Sequence, residues 1–209
     1  EGEIAMLDLW QKGELDRAFS ITTKDLENYL DLKDSDEDDY YTKIAVAFNN
    51  MIYLSLCDPN KQNYKTVYRD YKNRIDNLDF IPRESRYPLL QYNIFLLKFF
   101  NDDKFDPNVF KVFDYLEDKG PEVITCLILI LNADGELVVE ETKYDFLTCV
   151  IYTITNLIIN KKIDNDDIQS RPIINKIIHF YNRINDVEDS INKQNFLKVF
   201  KNLISESST

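Results

Sequence analysis

The chain has 209 residues, 44% of them hydrophobic, and a formal net charge of −12. That length and apolar content suit one domain or one compact solenoid with a buried core, while the negative charge opposes binding to nucleic acid or to an anionic membrane. Its four glycines, Gly2, Gly13, Gly120 and Gly135, are scattered, which removes the clustered glycines of phosphate-binding and dinucleotide loops and the many glycine turns of an all-β fold.

In chain order the pattern is one amphipathic helix after another. Ile4, Leu7, Leu9 and Trp10 stand at helical spacing before Gly13. Leu15, Phe19, Thr22, Leu26, Tyr29 and Leu30 then mark one face of a second helix, which runs into the acidic tract Asp34–Asp39. A third is predicted over Tyr40–Leu56, with Ile44, Ala47, Phe48, Met51 and Leu54 or Ser55 inward, and Asp58-Pro59-Asn60 stops it. A fourth, Asn63–Leu78, is carried by Tyr64, Val67, Tyr68, Tyr71 and Ile75. Pro82 and Pro88 bracket the link to a fifth, Leu89–Phe100, with Leu90, Ile94, Leu97 and Phe100 on one face.

Asp106-Pro107 reads as the start of a sixth helix, and Lys119-Gly120 as its end. Pro121 opens a seventh, Glu122–Leu131, nearly all apolar and therefore central. Beyond a bend at Asn132 to Leu137, Val150–Ile159 is β-branched enough for a strand. No partner strand is expected for it, so helix is predicted. Ile173–Asn182 and Ser190–Leu203 complete the series. The expected architecture is all-α, with about eight to nine helices in a single domain over residues 1–204 and a frayed tail at 205–209.

Helix-to-helix bends fall near Gly13, Pro59, Asp103, Gly135 and Asn165, an irregular spacing in the range of stacked helical hairpins. Each hairpin alone leaves an apolar face uncovered, so neighbours must stack. The segment Leu9–Phe19 resembles a tetratricopeptide repeat: with Gly13-Glu14 at the turn, Leu9 takes the tyrosine position and Ala18 the small-residue position. Met6, Asp25 and Leu30 depart from the motif where it has glycine, alanine and proline. The irregular spacing is also similar to the helical-hairpin scaffolds of vesicle coats, the epsilon-coatomer type. This resemblance implies an irregular α-solenoid that binds other proteins along a groove.

Chemistry is sparse. His179 is the sole histidine and reads as a half-buried helix residue, which leaves little to build a zinc site or a Cys-His pair on. The Asp134-Gly135 loop lacks the aspartate that should open a calcium loop, and Asp164–Asp167 has no glycine, so both read as capping turns. No catalytic, cofactor-binding or metal residue is assigned. Lys61–Arg74 interleaves basic residues with Tyr64, Tyr68 and Tyr71, a pattern that single-stranded nucleic acid would suit. Helical spacing instead turns the tyrosines inward and leaves Lys65, Arg69 and Lys72 in solvent.

Cys57, Cys126 and Cys149 lie in apolar runs without a Cys-x-x-Cys pattern, and read as buried, reduced thiols of a cytoplasmic protein with no signal peptide. The longest uncharged run, Phe146 to Asn160, is short of the about 20 residues of a spanning helix, so no membrane insertion is expected.

Residues 1–60 carry 14 acidic and 5 basic side chains, whereas residues 161–201 carry 6 and 8. The plain reading is a solvated acidic surface, and the sharper one is a protein partner with a basic surface. Trp10, Tyr40, Tyr41 and Tyr92 are the expected exposed aromatics at which such a partner would dock, while Trp10, near the chain start, equally suits a cap on the core. Ser35, followed by four acids, is a candidate phosphosite. The expected function is a non-enzymatic scaffold or adaptor. The alternatives are a compact helical bundle that holds a partner helix in a groove and, third, a helical enzyme.

Overall fold

The computed structural model describes residues 2–32, 39–57, 62–82, 88–102, 127–132, 136–141, 150, 153, 154 and 156. The chain divides into two compact units, Glu1–Asp102 and Asp103–Thr209. The described residues are mainly helical, as the periodicity predicts.

The first unit begins with α1 (Gly2–Gln11) and α2 (Leu15–Asp31). The turn between them is a glycine C-cap of the Schellman type. Gly13 adopts φ +74° in the left-handed region. Its amide bonds the Trp10 carbonyl at 2.9 Å, and the Glu14 amide bonds that of Leu9 at 2.8 Å. These two bonds satisfy carbonyls that the end of α1 would leave open. The tight turn folds α2 back so that fully buried Ala18 meets Met6 and Leu9 of α1, together with Leu54. Gly13 is thus a hairpin corner.

Next come α3 (Tyr40–Cys57), α4 (Asn63–Asp76) and α5 (Pro88–Asp102), each within two residues of its predicted ends. The packing order is α1 on α2, α2 on α3, α3 on α4 and α5, and α4 on α5. On α3 all the residues expected inward are buried: Ile44, Ala47, Phe48, Met51, Leu54 and Ser55. Burial of each large apolar side chain contributes about 1.5–3 kcal/mol. On α4, Val67, Tyr68 and Ile75 are buried while Lys65, Arg69 and Lys72 face solvent, so the basic and aromatic residues separate onto the two faces as the helical spacing requires.

The fifth helix departs from the expected one-sided pattern. Leu90, Tyr92, Asn93, Ile94, Phe95, Leu96, Leu97 and Phe99 are all buried, so burial runs round most of its circumference. A polar seam ties it to α4. Tyr68 hydrogen-bonds Asp102, Lys72 donates to the Tyr68 hydroxyl at 2.8 Å, and Asp76 receives Lys98 of α5 at 3.2 Å.

The second unit corrects one element. The apolar run predicted as the end of a seventh helix is instead strand β1 (Leu127–Leu131), paired antiparallel with β2 (Leu137–Glu141) in the register Leu129↔Val139 and Leu131↔Leu137. The expected bend between two helices is therefore the loop between two paired strands, while Gly135 itself lies outside the described residues. Asn132 closes that loop: its amide bonds the Glu136 carbonyl, and its side chain accepts from the Glu136 amide, both at 2.9 Å. The reason is local: in the sequence, a five-residue apolar run and a Val-Val pair flank an Asp-Gly step, which is a hairpin signal. Val150, Thr153, Ile154 and Asn156 are helical and buried, so the β-branched stretch follows its predicted state at those positions. The sixth helix and the two final helices lie outside the described residues.

Candidate functional site

Of the four aromatics expected at the surface, one is exposed. Tyr41, in the first turn of α3, is 40% exposed. Tyr40 beside it is buried, and its hydroxyl donates to the Tyr29 carbonyl of α2 at 2.9 Å. The two rings meet edge to face at 5.1 Å. Trp10 is half-buried and packs on the Met6, Leu9, Ala18 and Leu54 cluster. Tyr92 is fully buried. Its polar neighbours, Gln91 and Asn93, suggest a surface position, but α5 buries nearly all its faces, Asn93 among them. Exposure is thus corrected for Tyr40 and Tyr92. Ser35 and His179 lie outside the described residues. Cys57 is half-buried; Cys126 and Cys149 also fall outside.

The second exposed large hydrophobic is Leu32, the residue that caps α2, at 55%. The Tyr40–Tyr29 hydrogen bond holds the last turn of α2 against the first turn of α3, so Leu32 and Tyr41 belong to the same end of this helix pair. Leu32 lies one turn beyond Tyr29 on the helix surface.

A cleft of about 290 Å³ opens at that end between α1, α2 and α3. Met6, Thr22 and Ala47 are its buried walls, with Val46 half-buried. Asp25, Tyr29, Asp39, Thr42, Lys43 and Asn50 line it with polar groups. Lys43 is the one cation among the described lining residues and stands 3.0 Å from Asp39, an i,i+4 pair with side chains 38% and 61% exposed. Exposed helical pairs of this kind stabilise by only about 0.3–0.5 kcal/mol, so either partner is easily recruited elsewhere. With Lys43 set against Asp39, Asp25 leaves the walls one negative charge in excess.

A second cleft, about 410 Å³, lies between α2, α3 and α4. Its apolar lining includes buried Met51 and Val67, and its polar lining includes Glu27, Asp70, Tyr71 and Arg74. Burial raises the Tyr71 phenol above its ordinary range, and the neighbouring Glu27 charge adds to the effect. Arg74 also rests over the Phe80 ring at 5.2 Å. Among the described residues, the lining therefore offers both signs of charge but neither histidine nor cysteine.

Among the described residues, no group of three or more His, Cys, Asp or Glu side chains is placed to hold a metal ion. Among them too, no helix is long and apolar enough to cross a membrane. Comparison with protein-family models, with curated proteins and with solved structures finds no match.

Sequence reasoning missed Leu32, Asp25 and Asp39 as site residues. Leu32 lies past the last residue of the predicted apolar face, Leu30, and just before the acidic tract, so helical spacing assigns it no role. The cleft gathers side chains from three helices, and no spacing along one helix signals that.

Proposed function

We propose that the chain is a non-enzymatic protein–protein interaction scaffold or adaptor subunit of an intracellular multiprotein assembly, built on tetratricopeptide-like helical hairpins as vesicle-coat scaffolds are. The observation that carries this reading is the exposed pair Leu32 and Tyr41 at one end of α2 and α3, beside an open cleft. Exposed apolar side chains grouped next to a concavity are what a partner surface covers. The packing of α1 on α2 and of α2 on α3 supports the hairpin architecture.

Affinity capture with the full chain, in parallel with a Leu32→Ser, Tyr41→Ser double variant, tests the reading. A fixed set of partners recovered by the wild type and lost from the variant is expected. Turnover of a substrate by the purified chain with no partner present would refute a purely scaffolding role.

One feature favours a second reading, a compact helical regulator that holds a partner helix in a groove. The fifth helix is buried around most of its circumference, as the central helix of a bundle is. Small-angle scattering separates the two, because a hairpin stack is elongated and a bundle is not.

A further inference from the structure

We propose that the cleft between α1, α2 and α3 receives a long basic side chain from a partner segment, while a neighbouring apolar residue of that segment rests on Leu32 and Tyr41. This rests on the scaffold reading and names the chemistry of the partner.

Size is the first argument. At about 290 Å³ the cleft lies at the bottom of the range for small-molecule sites, roughly 300–1,000 Å³. It suits one or two side chains better than a cofactor. Its walls are the second. Lysine and arginine carry an apolar stem and a charged head. Met6, Val46 and Ala47 offer apolar contact for the stem, and the carboxylates of Asp25 and Asp39 offer acceptors for the head.

Charge is the third. An incoming cation meets described lining residues with one negative charge in excess, and it can share the Asp39 carboxylate with Lys43, because that side-chain pair is exposed. The chain around these residues has the same sign: the first 60 residues, which include every described lining residue of the cleft, carry 14 acidic side chains against 5 basic. A basic segment is steered toward this end, and an acidic one is turned away. Adjacency is the fourth. Tyr41 lies between Asp39 and the cleft residues Thr42 and Lys43 in sequence, and Leu32 lies one turn beyond Tyr29. A short segment can therefore touch both features.

The test uses the full chain and three synthetic probes of equal length: an amphipathic Lys/Leu peptide, its Arg/Leu counterpart and its Glu/Leu counterpart. Binding is read by fluorescence anisotropy at two salt concentrations, with circular dichroism to confirm that each variant is folded. Both basic peptides are expected to bind and the Glu/Leu peptide is not. Asp25→Asn with Asp39→Asn should weaken binding roughly tenfold, the scale of losing two charge contacts at an interface. Leu32→Ser with Tyr41→Ser should weaken it as well.

Asp16→Asn with Asp79→Asn removes the same charge at residues that line neither cleft and should leave affinity nearly unchanged. Equal weakening by that control pair overturns the proposal, because it shows attraction to net charge alone. Binding that ignores the cleft variants, or an equal affinity for the acidic peptide, overturns it too. If natural partners are captured through Leu32 and Tyr41 yet the cleft variants change nothing, the scaffold reading stands and this inference falls. If no partner is captured, the scaffold reading itself fails.

Discussion

The side-chain amide of Asn93 on α5 donates to Asn49 Oδ1 on α3 at 2.9 Å, and both residues are buried. The Asn49 amide in turn donates to Asn50 at 3.2 Å, while Asn93 Oδ1 is buried with no hydrogen-bond partner. This pair sets the rotation and height of α5 against α3, since sliding either helix breaks a buried polar contact between them. Asn93→Ala or Asn49→Ala alone should destabilise by about 1–3 kcal/mol, because each strands a buried polar group. The double substitution should cost less than the sum of the two. Urea denaturation of the three variants measures the coupling; strict additivity would mean that the contact contributes nothing.

The turn glycine gives a second test. Gly13 has φ +74°, and a Cβ added there would meet nothing within 4 Å. The cost of Gly13→Ala is therefore backbone strain alone, about 1–2 kcal/mol, and Gly13→Asn should cost less because asparagine tolerates the left-handed region better. Thermal melts of both variants check the order. Equal losses would point to something other than backbone conformation.

Ala18 is fully buried where α2 crosses α1 and touches the Met6, Leu9 and Leu54 cluster. Ala18→Leu should force the two helices apart and destabilise by about 1–3 kcal/mol. Replacing half-exposed Asp25, further along the same helix, with asparagine should change stability little. Chemical denaturation of the two variants side by side reads the contrast between a packing residue and a cleft residue.

The seam between α4 and α5 predicts a pH dependence. Burial alone would raise the Asp76 carboxyl, but the hydrogen bond and charge of Lys98, with Lys72 beside it, outweigh burial and hold it below the ordinary carboxylate value of 3.8. A depressed carboxyl stabilises the fold above its unfolded value, and this contribution disappears as pH falls through the folded value. Asp76→Asn should therefore flatten the acid limb of the stability profile below about pH 4 and leave its shape near neutrality unchanged.

At the other end of the scale, burial and then hydrogen bonding to Asp102 raise the Tyr68 phenol above 10.0. Its contribution is complete at lower pH and is lost as pH rises through the folded value. Tyr68→Phe should remove that alkaline loss. Denaturation midpoints across pH, compared among the wild type and both variants, decide each case.

Helices α2 to α4 were legible because their apolar residues recur at helical spacing and proline or acidic tracts punctuate them. Ala18 and Gly13 were legible because small residues and glycine have few uses at a hairpin corner. The fifth helix was located by its prolines, but its all-round burial was not. Phe95, Leu96 and Phe99 fill the faces between Leu90, Ile94 and Leu97, and one chosen stripe conceals them. That same assumption put Tyr92 at the surface.

Leu127–Leu131 was misread for a different reason. A short run that is apolar throughout carries no period, so helix and strand look alike until the partner segment is known. Leu137–Glu141 was that partner, and its Val-Val pair was passed over. Cleft residues Asp25, Asp39 and Lys43 were present in the general charge imbalance, but their convergence depends on how three helices cross.

The late place of α5 in the first unit also bears on the order in which the protein is made. A ribosome releases the first four helices before the fifth, and until Pro88–Asp102 emerges the faces of α3 and α4 that it covers have no lid. The nascent chain must pass through an interval with sticky surfaces, during which a chaperone or a neighbouring copy competes for them. Pausing of translation after residue 87 should lengthen that interval, so the yield of native protein depends on elongation speed as well as on final stability.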